Sequence, residues 1–392
     1  MDLYYKRVEK MSKKKIFWCK NCLNMSTRPR IEFDDRGWCN ACQWMEEKKT
    51  LDWQEREKEL IELLNKNKSK NGKFDCIVPV SGGKDGSYVS YMLKNRYNIN
   101  PLTVTVRPSL EIELGNKNLL NFINSGFNHI HVSTNSIIMQ KLNKYGFIKK
   151  GFPYYGWLIA IMTAVIRVAI NFKIQLIFYG EDGEIEYGGS TESKNKALYN
   201  IEYMKRIYLE GGHELVLKEM LKNSDDIKES DLYFFRFPDE KDVKQSNLQF
   251  AHWSYFEAWD SYRNYIVAKE HCGLQENDMT NSGTFTNFAQ NDQALYNLHT
   301  YMMYLKFGFG RATQDAGIEI RRGAMTREQA INLVKLYDNA YPHEFINLYL
   351  DYYKMTKDEF DAVLDKFVNK DLFKKVDGYW QPKFSVGEDF YI

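Results

Sequence analysis

Four of the six cysteines form two CxxC pairs, Cys19/Cys22 and Cys39/Cys42, with sixteen residues between the pairs. Each pair can present two thiolates from a tight turn, and four thiolates close a tetrahedral zinc site. A closed set leaves no coordination position open, so the zinc expected here is structural and lets a short segment fold with little core. Redox chemistry or an iron–sulfur cluster is the alternative use of the spacing. A second group is Ser81-Gly82-Gly83-Lys84-Asp85-Gly86-Ser87. Adjacent glycines let main-chain N–H groups approach a phosphate, Ser81 and Ser87 offer hydroxyls, and Lys84 offers charge. Asp85 is out of place beside an anion unless Mg²⁺ lies between them. GxxxxGK[ST] is absent, so this is not a Walker A loop. Glu181, Asp182, Glu184 and Glu186 form a third group, able to ligate Mg²⁺ or take a proton, or simply a solvated acidic loop.

The elements around these groups alternate. Residues 74–80 read as a strand running into the glycine turn, and 88–93 as a helix beyond it. Residues 102–106, 129–132 and 174–179 read as further strands, the last ending at Gly180; 114–125, 137–145 and 157–171 read as helices. Alternation of this kind predicts an α/β fold with a doubly wound parallel sheet. Ligands of such sheets lie beyond the carboxyl ends of the strands, so Ser81–Ser87 and Gly180–Ser190 should share one rim. The expected organisation is a flexible lead-in over 1–15, a zinc module and linker helix over 16–73, an α/β core over 74–195, and a helical substrate or partner region over 196–392. Capping boxes at Thr326/Gln329 and Thr356/Glu359 mark two late helix starts.

Composition limits the function. The chain has 392 residues with 54 Lys/Arg against 52 Asp/Glu, a net charge of +2, whereas a strong nucleic-acid binder usually carries a larger basic excess. Residues 1–70 hold 17 basic and 12 acidic residues, which fits RNA contact or an ordinary solvated surface equally. No stretch reaches the ~20 apolar residues of a membrane span, because Arg167 interrupts the best one, and no signal peptide is evident. A cytoplasmic protein is expected, without membrane or nucleic-acid partners and without a disulfide framework. His252, His299 and His343 read as structural, as does Cys76; Cys272 has no assigned role.

The glycine turn resembles the SGGxDS loop of the PP-loop ATP pyrophosphatases. With the four-Cys module, the segment 178–189 (FYGEDGEIEYGG), Phe285-Thr286-Asn287-Phe288 and residues 306–313 (KFGFGRAT), the chain is similar over about 16–350 to the N-acetyl sugar amidotransferases. These act in bacterial lipopolysaccharide O-antigen synthesis and in modification of pseudaminic or legionaminic acid. The resemblance implies an adenine-nucleotide alpha-hydrolase-like fold and an ATP-dependent ligase. The acetamido oxygen of a sugar would be adenylated, ammonia would displace AMP, and an acetamidino sugar and pyrophosphate would result. ATP, Mg²⁺ and structural Zn²⁺ are the implied cofactors. Lys84, Asp85, Glu181 and Arg311 are the candidate catalytic residues. Ser81, Gly82, Gly83, Lys84, Asp85, Ser87, Gly180 and Lys306 are the candidate nucleotide ligands, with Asp85 on Mg²⁺. Lys84, Lys306 and Arg311 would neutralise phosphate charge, Arg311, preceded by flexible Gly308 and Gly310, by closing on the α-phosphate.

A glutaminase of the class with an N-terminal catalytic cysteine would need Cys at position 2, where Asp2 stands. The chain should therefore not make its own ammonia; the resemblance implies a separate glutaminase, associated with a barrel subunit like that of histidine biosynthesis. A tRNA-thiolating PP-loop enzyme is the main alternative, although only Cys76 and Cys272 remain for chemistry once the four-Cys set is removed. A nucleotide-binding scaffold without turnover is the other.

Overall fold

The computed structural model describes residues 14–70, 72–222 and 226–392. Most of the expected lead-in, residues 1–13, lies outside the described residues. Lys14 and Lys15 were assigned to it but are not free: β1 (Lys15–Ile16) pairs antiparallel with the final strand, and Lys14 and Ile392 exchange both main-chain hydrogen bonds.

The four-Cys segment leads into α1 (Asn40–Lys48) and α2 (Trp53–Asn67), the second capped by Asp52. The core follows as β2 (Cys76–Pro79), α3 (Lys84–Asn95), β3 (Pro101–Val106), α4 (Glu113–Asn124), β4 (His129–Val132), α5 (Ser136–Tyr145), α6 (Tyr155–Phe172), β5 (Leu176–Tyr179) and α7 (Gly183–Tyr187). Three helices, α8 (Ile201–Ile207), α9 (His213–Lys222) and α10 (Glu240–Ser246), then lead to β6 (Gln249–His252). The sheet is wholly parallel, in the order β4-β3-β2-β5-β6. Every residue of β3 is buried, as a strand covered on both faces requires. The sequence boundary at 195 falls too early, since β6 completes this sheet. Its four residues are too short and too mixed in polarity to stand out in the sequence.

One face of the sheet packs Val78, Phe178 and Ala251 against Leu93 and Phe122 of α3 and α4; the other packs Ile77, Val104 and Ile177 against α5 and α6. α6 is long and apolar enough to cross a membrane by composition, yet 67% of it is buried in this layer, as befits a core helix. The chain winds outward from β2 to β4 and returns on the other side with β5. The direction reverses between β2 and β5, and a crevice opens there beyond the strands' carboxyl ends.

Helices α11 (Trp253–Phe256) and α12 (Ser261–Cys272) follow β6, and α12 lies along α3. The remainder holds α13 (Leu295–Phe307), α14 (Arg311–Arg321), α15 (Arg327–Tyr337), α16 (Ile346–Tyr353) and α17 (Lys357–Phe367). It ends in a hairpin of β7 (Phe373–Val376) with β8 (Tyr379–Pro382), and in β9 (Phe390–Tyr391). Both expected capping boxes are present, at α15 and α17. These helices share a core with Ile16, Trp18, Leu23 and Met25, so the four-Cys segment and the C-terminal helices form one body.

Candidate functional site

The crevice between β2 and β5 holds a cavity of about 240 Å³ lined by Ser81, Gly83, Lys84, Asp85, Glu181 and Arg311. The glycine turn runs from β2 into the N-terminus of α3. Gly83 is the N-cap, no side chain caps the helix, and Gly83 to Gly86 all line the cavity, so the first-turn N–H groups can serve an anion. The two glycines do different work. Gly82 has φ +80°, and a Cβ there would lie 2.4 Å from the main-chain nitrogen of Leu119 in α4. Gly83 has ordinary dihedrals, and a Cβ there would meet only Ser81 Oγ at 3.3 Å. Gly82 lets the turn pass beneath α4, and Gly83 leaves the cavity floor bare.

Asp85 pairs with Lys84 and accepts from Asn264 Nδ2 at 3.3 Å. Gly180 lies just below, where a Cβ would sit 3.3 Å from Asp85 Cβ. Glu181 faces Asp85 across the cavity and accepts from the Tyr187 hydroxyl at 3.2 Å. Burial, then the Asp85 charge, pushes its carboxyl above the usual range, while Lys84 opposes the shift. Asp85 and Glu181 are thus two carboxylates between which a Mg²⁺ ion would satisfy both. Arg311, the first residue of α14, contacts Asp315 at 2.9 Å. Asp315 also accepts from the Thr284 hydroxyl at 2.6 Å and the Thr286 hydroxyl at 3.5 Å, which gives the FTNF segment a role in holding Arg311.

Three expectations need correction. Lys306 is not at the cavity: its ammonium donates to the Lys150 carbonyl and lies over the Phe307 and Phe367 rings. Gly308 ends α13 in the left-handed region at φ +83°, so the chain turns between Lys306 and Arg311 and the two cations face apart. Ser87 is wholly buried inside α3 and does not reach the cavity; Gly86 does, wedged so tightly on β2 that a Cβ would meet Pro79 O at 3.0 Å. Gly308 and Gly310 are not hinges. A Cβ on Gly308 would strike Met25 Sδ at 2.9 Å, and the Gly310 N–H donates to Asp338 at 2.8 Å. Arg311 is held at the cavity from the start.

The acidic segment divides by direction. Only Glu181 reaches the cavity. Asp182 caps α7 through the Glu184 N–H and accepts from the Ser193 hydroxyl. Glu184 takes a bidentate pair from Arg30, and Glu186 accepts from Trp44 Nε1 and Lys48. Asn24 and Asn40 donate to the Tyr187 and Gly189 carbonyls. The segment is mostly a seat for the four-Cys module.

In that module Cys19, Cys22, Cys39 and Cys42 are buried, with their sulfurs within 4.8 Å of one another and several pairs 3.6–3.7 Å apart. A tetrahedron with Zn–S of ~2.3 Å has edges of ~3.8 Å, so the cage fits zinc. N–H groups point at the sulfurs: Asn24 N at Cys22, Asn24 Nδ2 and Cys39 N at Cys39 and Cys19. The buried guanidinium of Arg321 feels the thiolate charges and offsets them. The cage holds no open position and lies on the far side of α7 from Glu181.

Other cavity residues have no role in the sequence reading, although Phe288 and Tyr187 stand in the two segments quoted there. Phe288 to Asp292 form a wall, held so close to α4 that a Cβ on Gly115 would meet Asp292 Cα at 2.4 Å. Burial pushes the Asp292 carboxyl up to about 7. Tyr187, Tyr296, Asn118 and Leu274 also line the cavity. The signal for the wall was the FTNF segment, whose last residue, Phe288, begins it. Next to the cavity, sharing Ser81, Gly115 and Asp292, is an apolar crevice of about 190 Å³ lined by Val80, Val106 and Trp157.

A parallel sheet with a glycine-rich anion loop at its reversal point, beside paired carboxylates, defines a protein of the PP-loop type. Residues 282–385 match the family model described as LPS biosynthesis protein WbpG-like, C-terminal domain, consistent with the amidotransferase resemblance of the sequence. The chain is 34% identical over 89 residues to the uncharacterized protein MJ1599 of Methanocaldococcus jannaschii, covering 22% of this chain and 32% of that protein. It therefore spans about a third of the length of that relative. Two solved structures are similar at low level. One is the U34-tRNA thiolase NcsA from Methanococcus maripaludis with its 4Fe-4S cluster (13% identity, TM-score 0.31, 68% of this chain and 77% of that chain). The other is a predicted subunit of tRNA methyltransferase from Methanocaldococcus jannaschii (12%, 0.27, 63% and 91%). At these scores neither likeness bears on fold or function, which rest on this chain's own strands and residues.

Proposed function

We propose that this chain is an ATP-dependent sugar amidotransferase of lipopolysaccharide or related surface-glycan synthesis, converting an acetamido group to an acetamidino group. One observation carries the reading: the cavity at the PP-loop is walled by Phe288–Asp292, Tyr296 and Arg311, all inside the segment that matches the WbpG-like family model. The loop can serve any adenylation; those walls tie it to this family.

The adenine fits the apolar crevice, and the phosphates extend along the α3 N-terminus. Lys84 and Arg311 offset phosphate charge, and Mg²⁺ held by Asp85 and Glu181 would add to that neutralisation. The acetamido oxygen attacks the α-phosphorus and the bond to the β-phosphate oxygen breaks, so pyrophosphate leaves. Ammonia adds to the activated carbon, the carbon–oxygen bond breaks, and AMP carries the former acetamido oxygen away. A carboxylate such as Glu181, with its affinity for protons raised by burial, is suited to take a proton from the attacking nitrogen. Ammonia comes from a separate glutaminase.

The thiolation alternative lacks a nucleophile. Cys76 is sealed inside β2, and Cys272 is buried behind α3, where burial pushes its thiol up to about 11. The test is incubation with α-labelled ATP, ammonium and a panel of N-acetylated sugars. AMP, pyrophosphate and a sugar whose mass has changed by exchange of oxygen for NH are expected. ADP and phosphate formed in step with product would refute the reading.

A further inference from the structure

The phosphate cavity and the apolar crevice beside it meet at a seam of three residues, Ser81, Gly115 and Asp292, which line both. A nucleotide with its adenine in the crevice and its phosphates along α3 must place its ribose at that seam. Gly115 has no side chain, so the side-chain polar groups beside the ribose are the Ser81 hydroxyl and the Asp292 carboxyl.

The Asp292 carboxyl is held in place and has acceptor capacity to spare. Its segment is pinned to the chain before α4: the Ile112 N–H donates to the Asp292 carbonyl at 3.1 Å, the Ala294 N–H donates to the Leu110 carbonyl at 2.8 Å, and Glu111 and Gln293 form an antiparallel bridge between them. The close approach of Asp292 Cα to Gly115 leaves it little room to shift. Burial and the main-chain N–H groups of Asp292 and Gln293 act on the carboxyl, and no charged side chain does. Other acids at the two cavities differ in this respect. Glu181 feels the Asp85 charge, and Asp85 pairs with Lys84. Glu111, in the crevice, is occupied by Arg107 at 2.9 and 2.8 Å. Asp292 therefore stands apart from the carboxylate pair suited to Mg²⁺.

A carboxylate is a poor neighbour for phosphate oxygens, since both only accept and both are negative. The ribose at the seam is neutral and presents two adjacent donors. Ionised or protonated, the carboxyl keeps oxygen that accepts them. We infer that Asp292 is the ribose ligand of this site, accepting from the 2′-hydroxyl, the 3′-hydroxyl or both, and that it makes the site selective for ribonucleotides; this rests on the nucleotide reading proposed above. A deoxynucleotide would leave a buried carboxyl oxygen without its partner. The segment that matches the WbpG-like model, 282–385, then reads the nucleotide as well as walling the cavity.

Calorimetric titration of the full metal-loaded chain with MgATP and with the Mg²⁺ complexes of 2′-deoxy-ATP and 3′-deoxy-ATP tests this. At least one deoxynucleotide should bind about tenfold or more weakly than ATP, and which one does so identifies the hydroxyl. Asp292→Ala should bind all three within about threefold of one another, whereas Asp292→Asn, whose amide keeps a carbonyl acceptor, should retain part of the preference. A merely structural role would weaken all three nucleotides alike and leave their ratio unchanged. Equal binding of ATP and both deoxynucleotides by the wild type, a measurement that needs no variant, would overturn the inference, as would wild-type discrimination in Asp292→Ala. In either case ATP still binds, so the nucleotide reading stands while Asp292 loses this role. Binding of no nucleotide would end both. The amidotransferase chemistry is judged separately, by AMP formation with acetamido sugars.

Discussion

Substituting the two adjacent glycines separately should separate folding from binding. At Gly82 a Cβ would lie 2.4 Å from Leu119 N and 2.5 Å from Leu119 Cα, both main-chain atoms of α4 that no rotamer change can move. Gly82 also has φ +80°, which costs an L-residue roughly 1 kcal/mol or more. Displacing packed backbone adds ~1–3 kcal/mol. Gly82→Ala should therefore cost about 2–4 kcal/mol of stability. At Gly83 the dihedrals suit any residue, and the nearest atom to a Cβ is the mobile Ser81 Oγ at 3.3 Å. Gly83→Ala should be close to wild type in stability, and Gly83→Val should stay folded, but both put carbon where phosphate oxygens would approach the α3 N–H groups. Urea unfolding without nucleotide reads the first effect, and titration with MgATP reads the second. Gly82→Ala should shift the midpoint with ATP affinity largely retained at low temperature, while Gly83→Val should leave the midpoint and abolish binding. If Gly83→Val binds ATP normally, the loop does not face the phosphates. If Gly82→Ala is as stable as wild type, the close approach to α4 is not a constraint.

Asp85→Asn should leave the unfolding transition in place and slow AMP formation by ~10²–10³, the usual cost of losing one charge-stabilising group; wild-type turnover would remove Asp85 from the metal site. Elemental analysis should find one zinc per chain, and Cys19→Ser should release it and destabilise the module; iron in its place would refute the structural-zinc reading. High ammonium should support turnover by this chain alone, whereas glutamine should require a partner, and glutamine-driven turnover by the pure chain would contradict that. Asp292, pushed by burial to about 7, should be driven higher by nearby phosphates, so ATP binding takes up a proton and weakens as pH rises above about 7. The same raised value means that the unfolded chain gives up this proton first, so rising pH costs stability between the ordinary carboxylate range and about 7. Asp292→Asn should flatten both dependences, and pH titrations of ATP affinity and of the urea midpoint check them.

The parallel sheet and the anion loop were legible in the sequence because each rests on local pattern. Runs such as Pro101–Val106 are apolar throughout because both faces are covered, and a glycine pair between strand and helix leaves few conformations open. What the sequence did not carry was direction. Lys306 and Arg311 are five residues apart in one motif, yet the left-handed turn at Gly308 sends them to opposite sides. Glu181, Glu184 and Glu186 look equivalent as a run, yet only the first faces the cavity, because α7 turns the other two onto Arg30 and Lys48. Asp292 was invisible for a different reason. Its environment comes from α4, more than 150 residues earlier in the chain by the numbering, and no local pattern reports such a contact.

This directional split gives the zinc module a consequence beyond its own folding. α7 is only five residues long and is fixed from outside: Arg30 holds Glu184, Trp44 and Lys48 hold Glu186, and Asn24, which also donates to Cys39 Sγ, holds the Tyr187 carbonyl. A helix this short has too few internal hydrogen bonds to keep its shape alone. The opposite side of the same segment presents Glu181 and the Tyr187 hydroxyl to the phosphate cavity. The path from the cysteine cage to the proposed general base therefore runs through one asparagine and one tyrosine. A zinc held in this cage would take no part in bond making, yet it would fix the segment that positions Glu181.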